Sequence, residues 1–236
     1  MKKLGLIGGI GPESTIAYYR QLVHGTQERH GAQTLPRISI ESLSAFQVFA
    51  FCREQRFDAL ARYLLDALES LAAGGAELAA LTGNTPNIVL DRIRNRTPVP
   101  IVSAIDACCE EAKRRKVRTI GLLGTSFTMK NSFFVTPFEL SGIRVAAPDD
   151  EQVSYIQEKI ASELEHGVVR DDTREGFLSI IRDMRDRHGI EQVILGCTEL
   201  PLILDDANSP VPCLDTTRVH VAALLDAIDG DPASAP

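Results

Sequence analysis

The chain has 236 residues, 44% hydrophobic and 24% charged, a balance that supports a folded core and excludes disorder as the default state. Lys and Arg number 25 against 32 Asp and Glu, a net charge of −7. That argues against a broad grip on nucleic acid or an anionic membrane and leaves room only for a local basic pocket. Met1-Lys2-Lys3 opens an apolar stretch that Gly8, Gly9, Gly11 and Pro12 soon break, so no secretory signal is expected. Nowhere do the roughly 18 apolar residues of a membrane span run together. Five cysteines (52, 108, 109, 197 and 213), with no CxxC, suggest neither a disulfide framework nor a zinc cage. A reducing, cytoplasmic setting is expected.

Short apolar runs read as strands at Leu4–Gly8, Ile38–Ser42, Leu78–Leu81, Ile101–Val102, Ile120–Leu123, Val145–Ala147, Val193–Leu195 and Val211–Leu214. Amphipathic patterns predict helices over Ser14–Glu28, Arg56–Leu71, Ala104–Lys113, Val153–His166, Arg174–Arg187 and Thr217–Ile228. Such alternation predicts an α/β fold of mainly parallel sheets flanked by helices. The run Lys113–Lys116 reads as a helix C-terminus complementing the helix dipole. Residues 230–236 read as a flexible tail.

A faint internal repeat divides the chain. Gly5 in Lys3–Gly8 matches Gly121 in Thr119–Gly124, Gly83 in Leu81–Thr85 matches Cys197 in Leu195–Glu199, and Pro100 matches Pro212. The offsets are about 116, 114 and 112 residues, in one order, which predicts two similar lobes. The expected division is 1–100 with a C-terminal helix 216–229 for the first lobe, and 101–215 for the second. Ligands of open α/β sheets bind beyond the carboxyl ends of the strands. If the lobes face each other, Gly83-Asn84-Thr85 and Cys197-Thr198-Glu199 both lie at strand ends that start helices. Free N–H groups there suit a small anion, and a thiol there has its pKa lowered.

Gly5-Leu-Ile-Gly-Gly-Ile-Gly-Pro-Glu-Ser-Thr15, Tyr18-Tyr19, Asn84-Thr85, Gly121–Thr125 with Thr128-Met129, Gly196-Cys-Thr-Glu199, and Pro212 with Asp215-Thr216 and His220 resemble the cofactor-independent aspartate/glutamate racemases. The resemblance implies two pseudo-symmetric lobes with an amino-acid substrate between them, no pyridoxal phosphate and no metal, and often a homodimer. It also implies one proton-carrying cysteine per lobe. The second-lobe cysteine is Cys197, by resemblance the thiol facing the L-isomer. The first-lobe cysteine is replaced by Gly83, which has no acid or base to offer, and a His common two residues after the Asn-Thr pair is Asn87.

Three readings follow. In the first, Thr82, Thr85 or water in the space left by Gly83 is the second proton carrier of an aspartate/glutamate-like racemase or epimerase. In the second, the chain resembles the arylmalonate decarboxylases, which share the Gly/Cys pattern and need one protonation. In the third it only binds a small acid. Cys197 could also be an inert buried thiol, and Asn84, Thr85 and Thr198 plain N-caps; capping and carboxylate binding are both retained for these three. Gly9, Thr125 and Glu199 complete the candidate substrate site, Thr125 and its neighbour Thr128 being the weaker candidates, from the second-lobe glycine turn. Gly9-Ile-Gly11-Pro-Glu-Ser14 breaks the dinucleotide pattern at its third glycine, so the glycines read as a strand-to-helix turn. Glu199 and Asp215 read as supporting charges and His220 as a packed or exposed residue. No His/Asp/Glu spacing suggests a metal site. For a second substrate carboxylate, Arg53 or Arg56 could serve, though Phe46, Phe49 and Phe51 make that segment apolar. The place where the resemblance expects another basic side chain is Glu165.

Overall fold

Every residue of Leu4–Gly8 (β1) is buried, as a parallel strand covered on both faces requires. Pro12 then occupies the first turn of α1 (Pro12–His30), where its missing N–H costs no hydrogen bond. There follow β2 (Ile38–Ser42), α2 (Ala45–Arg53), α3 (Phe57–Ala73), β3 (Leu78–Leu81), a 3-10 turn (Thr85–Val89), α4 (Leu90–Ile93) and α5 (Ala104–Arg114). The second half continues with β4 (Thr119–Leu123), α6 (Ser126–Lys130), α7 (Ser132–Leu140), β5 (Arg144–Ala146), α8 (Asp150–Ser162) and α9 (Asp171–His188). It ends with β6 (Gln192–Leu195), β7 (Cys213–Asp215) and α10 (Thr216–Asp229).

The computed structural model describes residues 1–230; apart from Gly230, the expected tail lies outside the described residues. The chain divides into one unit of residues 1–107 with the C-terminal segment from Thr217, and a second of Cys108–Thr216.

In the first unit, three parallel strands pair in the order β2-β1-β3. One face of this sheet is closed by α1 and α10, with Leu4, Leu6, Tyr18, Leu22 and Leu224 in one buried cluster. Helix α3 packs on β1 through a stripe of Leu60, Leu64, Leu68 and Leu71, each at most 3% exposed. Burying each such side chain contributes about 1.5–3 kcal/mol before ordering entropy is counted. The second unit has the order β5-β4-β6-β7, again parallel throughout.

The predicted repeat appears as matched backbone hydrogen bonds within each unit. Glu77 N–H donates to Lys3 O and Glu191 N–H to Thr119 O, both at 2.8 Å. Thr82 N–H donates to Ile7 O at 3.0 Å and Gly196 N–H to Leu123 O at 2.7 Å. Ala79 N–H reaches Pro100 O at 2.9 Å, and Val193 N–H reaches Pro212 O at 3.0 Å.

Two expected elements differ. Ile101–Val102 is not a strand but an isolated bridge from Ile101 to Ala79, where its repeat partner Cys213–Asp215 forms β7. The helix expected to reach His166 stops at Ser162, and a separate 3-10 turn, Leu164–His166, ends in left-handed Gly167. Among the described residues no helix is long and apolar enough to cross a membrane.

Candidate active site

Parallel pairing puts the carboxyl ends of β1, β2 and β3 on one edge of the first sheet. The loops beginning at Gly9, Leu43 and Thr82 leave from that edge. Thr15, in the first turn of α1, ties two of them together. Its Oγ1 accepts from Gly9 N–H at 2.9 Å, lies 3.2 Å from Gly11 O as a donor, and lies 3.2 Å from Thr82 Oγ1. Thr82 is buried, its hydroxyl donates to Ile7 O at 3.1 Å, and its carbonyl accepts from Ser14 Oγ. The Thr82 proton is therefore committed inside the first unit. Gly9 has φ +81, and a Cβ there would run into the Leu43 carbonyl, so only glycine suits this turn.

Gly83 does not leave an empty slot. A Cβ built on it would fall inside the contact distance of the Ile10 carbonyl oxygen. The expected vacant space beside it is filled by backbone of the β1–α1 turn. Asn84, half-buried, starts the 3-10 turn without a side-chain cap bond. The capping expected of it is supplied by Asn87, 5% exposed, whose Nδ2 donates to Gly83 O and Asn84 O, each at 3.0 Å. Thr85 is half-exposed, and no hydrogen bond joins it to a carboxylate or imidazole among the described residues.

In the second unit, Thr125 caps α6, its Oγ1 accepting from Thr128 N–H at 3.3 Å and lying 3.2 Å from the buried Thr128 hydroxyl. Beyond β6 the chain turns through Gly196-Cys197-Thr198-Glu199, and Leu200 N–H donates back to Cys197 O at 3.2 Å. Within this turn the Cys197 Sγ–H donates to Glu199 Oε2 at 2.7 Å. Burial, and then the Glu199 charge and this hydrogen bond, push the thiol well above its ordinary pKa. The expectation of a depressed thiol pKa is therefore corrected. The element after the turn is a single 3-10 turn, Leu200–Leu202, too short to supply much dipole, and the nearest charge is negative. Cys197 is thus the donor in its contact with Glu199. Thr198 is half-exposed in the same turn.

Glu165 stands on the 3-10 turn after α8. Partial desolvation, followed by the charge of Glu199, raises its carboxyl pKa, and its own charge acts on Cys197. No motif in the sequence signals that proximity. Arg56 stacks on Phe51 at 5.2 Å and pairs with Glu54 at 3.4 Å, whereas Arg53 is exposed. Asp215 closes β7, where its charge adds to burial in raising Cys108. Cys52, Cys108, Cys109 and Cys213 are buried, with Cys213 pushed up to about 11 mainly by burial. His220 is fully buried in the first unit. Its Nε2–H donates to Val102 O at 2.9 Å, so Nδ1 accepts from the Tyr18 hydroxyl at 2.8 Å, and the ring is a neutral structural pin. Among the described residues no group of three or more His, Cys, Asp or Glu is placed to hold a metal ion.

Each unit is a parallel α/β sheet, and in the second a thiol–carboxylate pair lies just past the carboxyl end of β6. Residues 7–224 match the model of the Asp/Glu/Hydantoin racemase family, and the chain belongs to that family. It is similar to the solved structure of an aspartate racemase homologue from Pyrococcus horikoshii OT3, with 35% identity and a TM-score of 0.88 over 97% of this chain and 100% of that one. A candidate Asp/Glu racemase from Yersinia pestis is 31% identical with a TM-score of 0.91, covering 97% and 99%. The broad specificity amino-acid racemase RacX of Bacillus subtilis strain 168 is 21% identical over 217 residues, 91% of this chain and 92% of RacX. These relatives support an isomerase of the racemase class acting on an amino acid.

Proposed function

We propose that the chain is a cofactor-independent racemase or epimerase of a free amino acid, aspartate, glutamate or a close relative, with Cys197 as its proton-transfer thiol. The observation that carries this reading is the 2.7 Å hydrogen bond from Cys197 Sγ to Glu199 Oε2 in a family whose relatives are racemases. A neutral thiol is a poor base. With Glu199 accepting its proton, the sulfur becomes a thiolate able to take the substrate α-proton. Asn84, Thr85 and Thr198 are the carboxylate-binding donors in this reading, with Gly9 and Thr125 shaping the glycine turns beside them. Each well-placed donor to the developing negative charge contributes about 3 kcal/mol to lowering the barrier. A homodimer in the cytoplasm completes the proposal.

Incubation of L-aspartate, L-glutamate and a panel of other L-amino acids in D2O, followed by proton NMR of the α-position, tests it. Loss of the α-proton signal, absent in Cys197→Ala, is the expected result; a panel with no α-exchange removes the reading. The filled space at Gly83 favours one second reading, a single-thiol decarboxylase of a disubstituted malonate. CO2 release from an arylmalonate or alkylmalonate, without α-exchange on any amino acid, would select it.

A further inference from the structure

We infer that Glu165, together with Glu199, selects an amino acid with a cationic side chain, an amine or guanidinium of the ornithine, lysine or arginine kind, over aspartate and glutamate. The inference rests on the racemase reading above and narrows its substrate class. Of the amino acids that reading admits, it selects one whose side chain ends in a positive charge in place of the second carboxylate.

Both carboxylates and the thiol belong to the second unit. Leu123 pairs with Leu195 near the ends of β4 and β6, and Gly196 N–H donates to Leu123 O at 2.7 Å. The Cys197 turn and the loop after β4 therefore leave the same edge of that sheet. Helix α8 is tied to this loop, because Ser126 N–H donates to Gln157 Oε1 at 2.8 Å. The 3-10 turn that follows α8 is held on both sides of Glu165. Leu164 is 1% exposed, and Glu163 accepts from Thr173 Oγ1 at 2.5 Å and pairs with Lys159 at 2.9 Å. Glu165 itself is exposed, and its carboxyl group interacts with the charge of Glu199 and acts on Cys197. With Cys197 Sγ 2.7 Å from Glu199 Oε2, the thiol and the two carboxyl groups share one electrostatic neighbourhood at the strand ends.

The basic side chains of this part of the chain are committed elsewhere. Lys159 and Arg170 face Glu163 at 2.9 and 4.0 Å, Lys130 pairs with Asp150 at 2.8 Å, and Arg174 pairs with Asp171 at 2.6 Å. The charges acting on Glu165 are that of Glu199 and, in the opposite sense and more weakly, that of His166; no lysine or arginine acts on it. A substrate worked on by the Cys197 sulfur brings its α-ammonium and its side chain into this field. The α-ammonium offsets one of the two negative charges. An aspartate or glutamate side chain would add a third carboxylate, with the repulsion that like charges cost. A terminal amine or guanidinium instead offsets the second charge and donates charge-assisted hydrogen bonds to it. Glu199, against the sulfur, stands by the reacting carbon, and Glu165, on a separate element, is left to the far end of the substrate. When Glu199 holds the thiol proton, Glu165 is the negative charge that remains.

The test uses the intact protein with L-ornithine, L-lysine, L-arginine, L-glutamine, L-glutamate and L-aspartate. Formation of the D-isomer is read by chiral chromatography, and kcat/KM is compared between substrates, with glutamine as the neutral counterpart of glutamate. The best cationic substrate should exceed glutamate and aspartate by about tenfold or more, with glutamine between them. Glu165→Gln should lower that ratio by about tenfold, mainly through KM of the cationic substrate, and Glu165→Lys should reverse the preference. A parent protein that turns over glutamate or aspartate best would overturn the inference and leave the racemase reading intact. So would a ratio that stays within about twofold of the parent in both variants. An equal fall for every substrate in Glu165→Gln would also overturn it, by showing that Glu165 holds the α-ammonium common to them all. Racemisation of none of the amino acids would remove the racemase reading and this inference together.

Discussion

A thiol hydrogen-bonded to a carboxylate has two opposed properties: its pKa is high, and the group that raises it is also the group that can remove its proton. Glu199→Gln separates them. Without the negative charge the thiol pKa should fall, so alkylation of Cys197 by iodoacetamide should reach half its maximal rate at a lower pH than in the parent. Amino-acid α-exchange should nevertheless drop by about 10²–10⁴, the usual contribution of a positioned proton acceptor. A parallel rise of both rates would show that Glu199 only suppresses the thiol. At Gly83 the argument is steric. Gly83→Ala or Gly83→Cys forces the Ile10 carbonyl aside, at a cost of about 1–3 kcal/mol and a Tm lower by about 2–10 °C, and the cysteine variant should gain no racemisation. A Gly83→Cys protein of unchanged Tm and faster inversion would contradict the packing described. Cys197, Thr198 and Glu199 were legible in the sequence as a strand-end turn. The sense of the thiol's pKa was not, because it depends on how the Glu199 side chain folds back within the turn and on the length of the following helix. The filling of the Gly83 space was likewise hidden: a carbonyl closing on a glycine leaves no mark beyond the glycine itself.

Among elements, the C-terminal helix α10 is joined to the first unit's sheet and α1 through His220, Tyr18 and Val102. Burial lowers the His220 pKa to about 4 from an ordinary 6.5. The unfolded chain therefore binds a proton more readily over this interval. The stabilisation is fully present above pH 6.5 and is lost as pH falls toward 4, an effect of up to about 3 kcal/mol. Thermal unfolding followed between pH 7 and pH 4 should show that slope, and His220→Gln should flatten it; a slope unchanged in the variant would assign it to the carboxylates instead. The long helices were legible because their apolar residues recur at helical spacing, as in the α3 leucine stripe. Helices α2 and α7 were not. Phe46 and Phe49 of α2 are exposed while Val48 and Phe51 are buried, so the phenylalanines on its outer side blur the apolar face. Helix α7 carries Pro137 inside it, a residue that reads as an interruption. Ile101–Val102 reads as a strand because its motif repeats at β7, where pairing extends over three residues, whereas in the first unit only the Ile101 bridge forms.

Across the whole chain, the matched bonds Thr82–Ile7 and Gly196–Leu123 show that the two units repeat one strand plan, which the spacing of Gly5, Gly83 and Pro100 against Gly121, Cys197 and Pro212 had already outlined. The units differ in what the repeated strand end carries. In the first it carries the buried, bonded hydroxyl of Thr82 and the half-exposed one of Thr85; in the second it carries a thiol bonded to a carboxyl group. The central proposal is α-proton transfer by Cys197, with Glu199 accepting the thiol proton. It is tested most directly by following α-deuterium uptake into a panel of L-amino acids in D2O, with the parent protein and Cys197→Ala side by side. Uptake by the parent into at least one amino acid, reduced a thousandfold or more in the variant, is the predicted result; uptake that persists in Cys197→Ala would contradict the account.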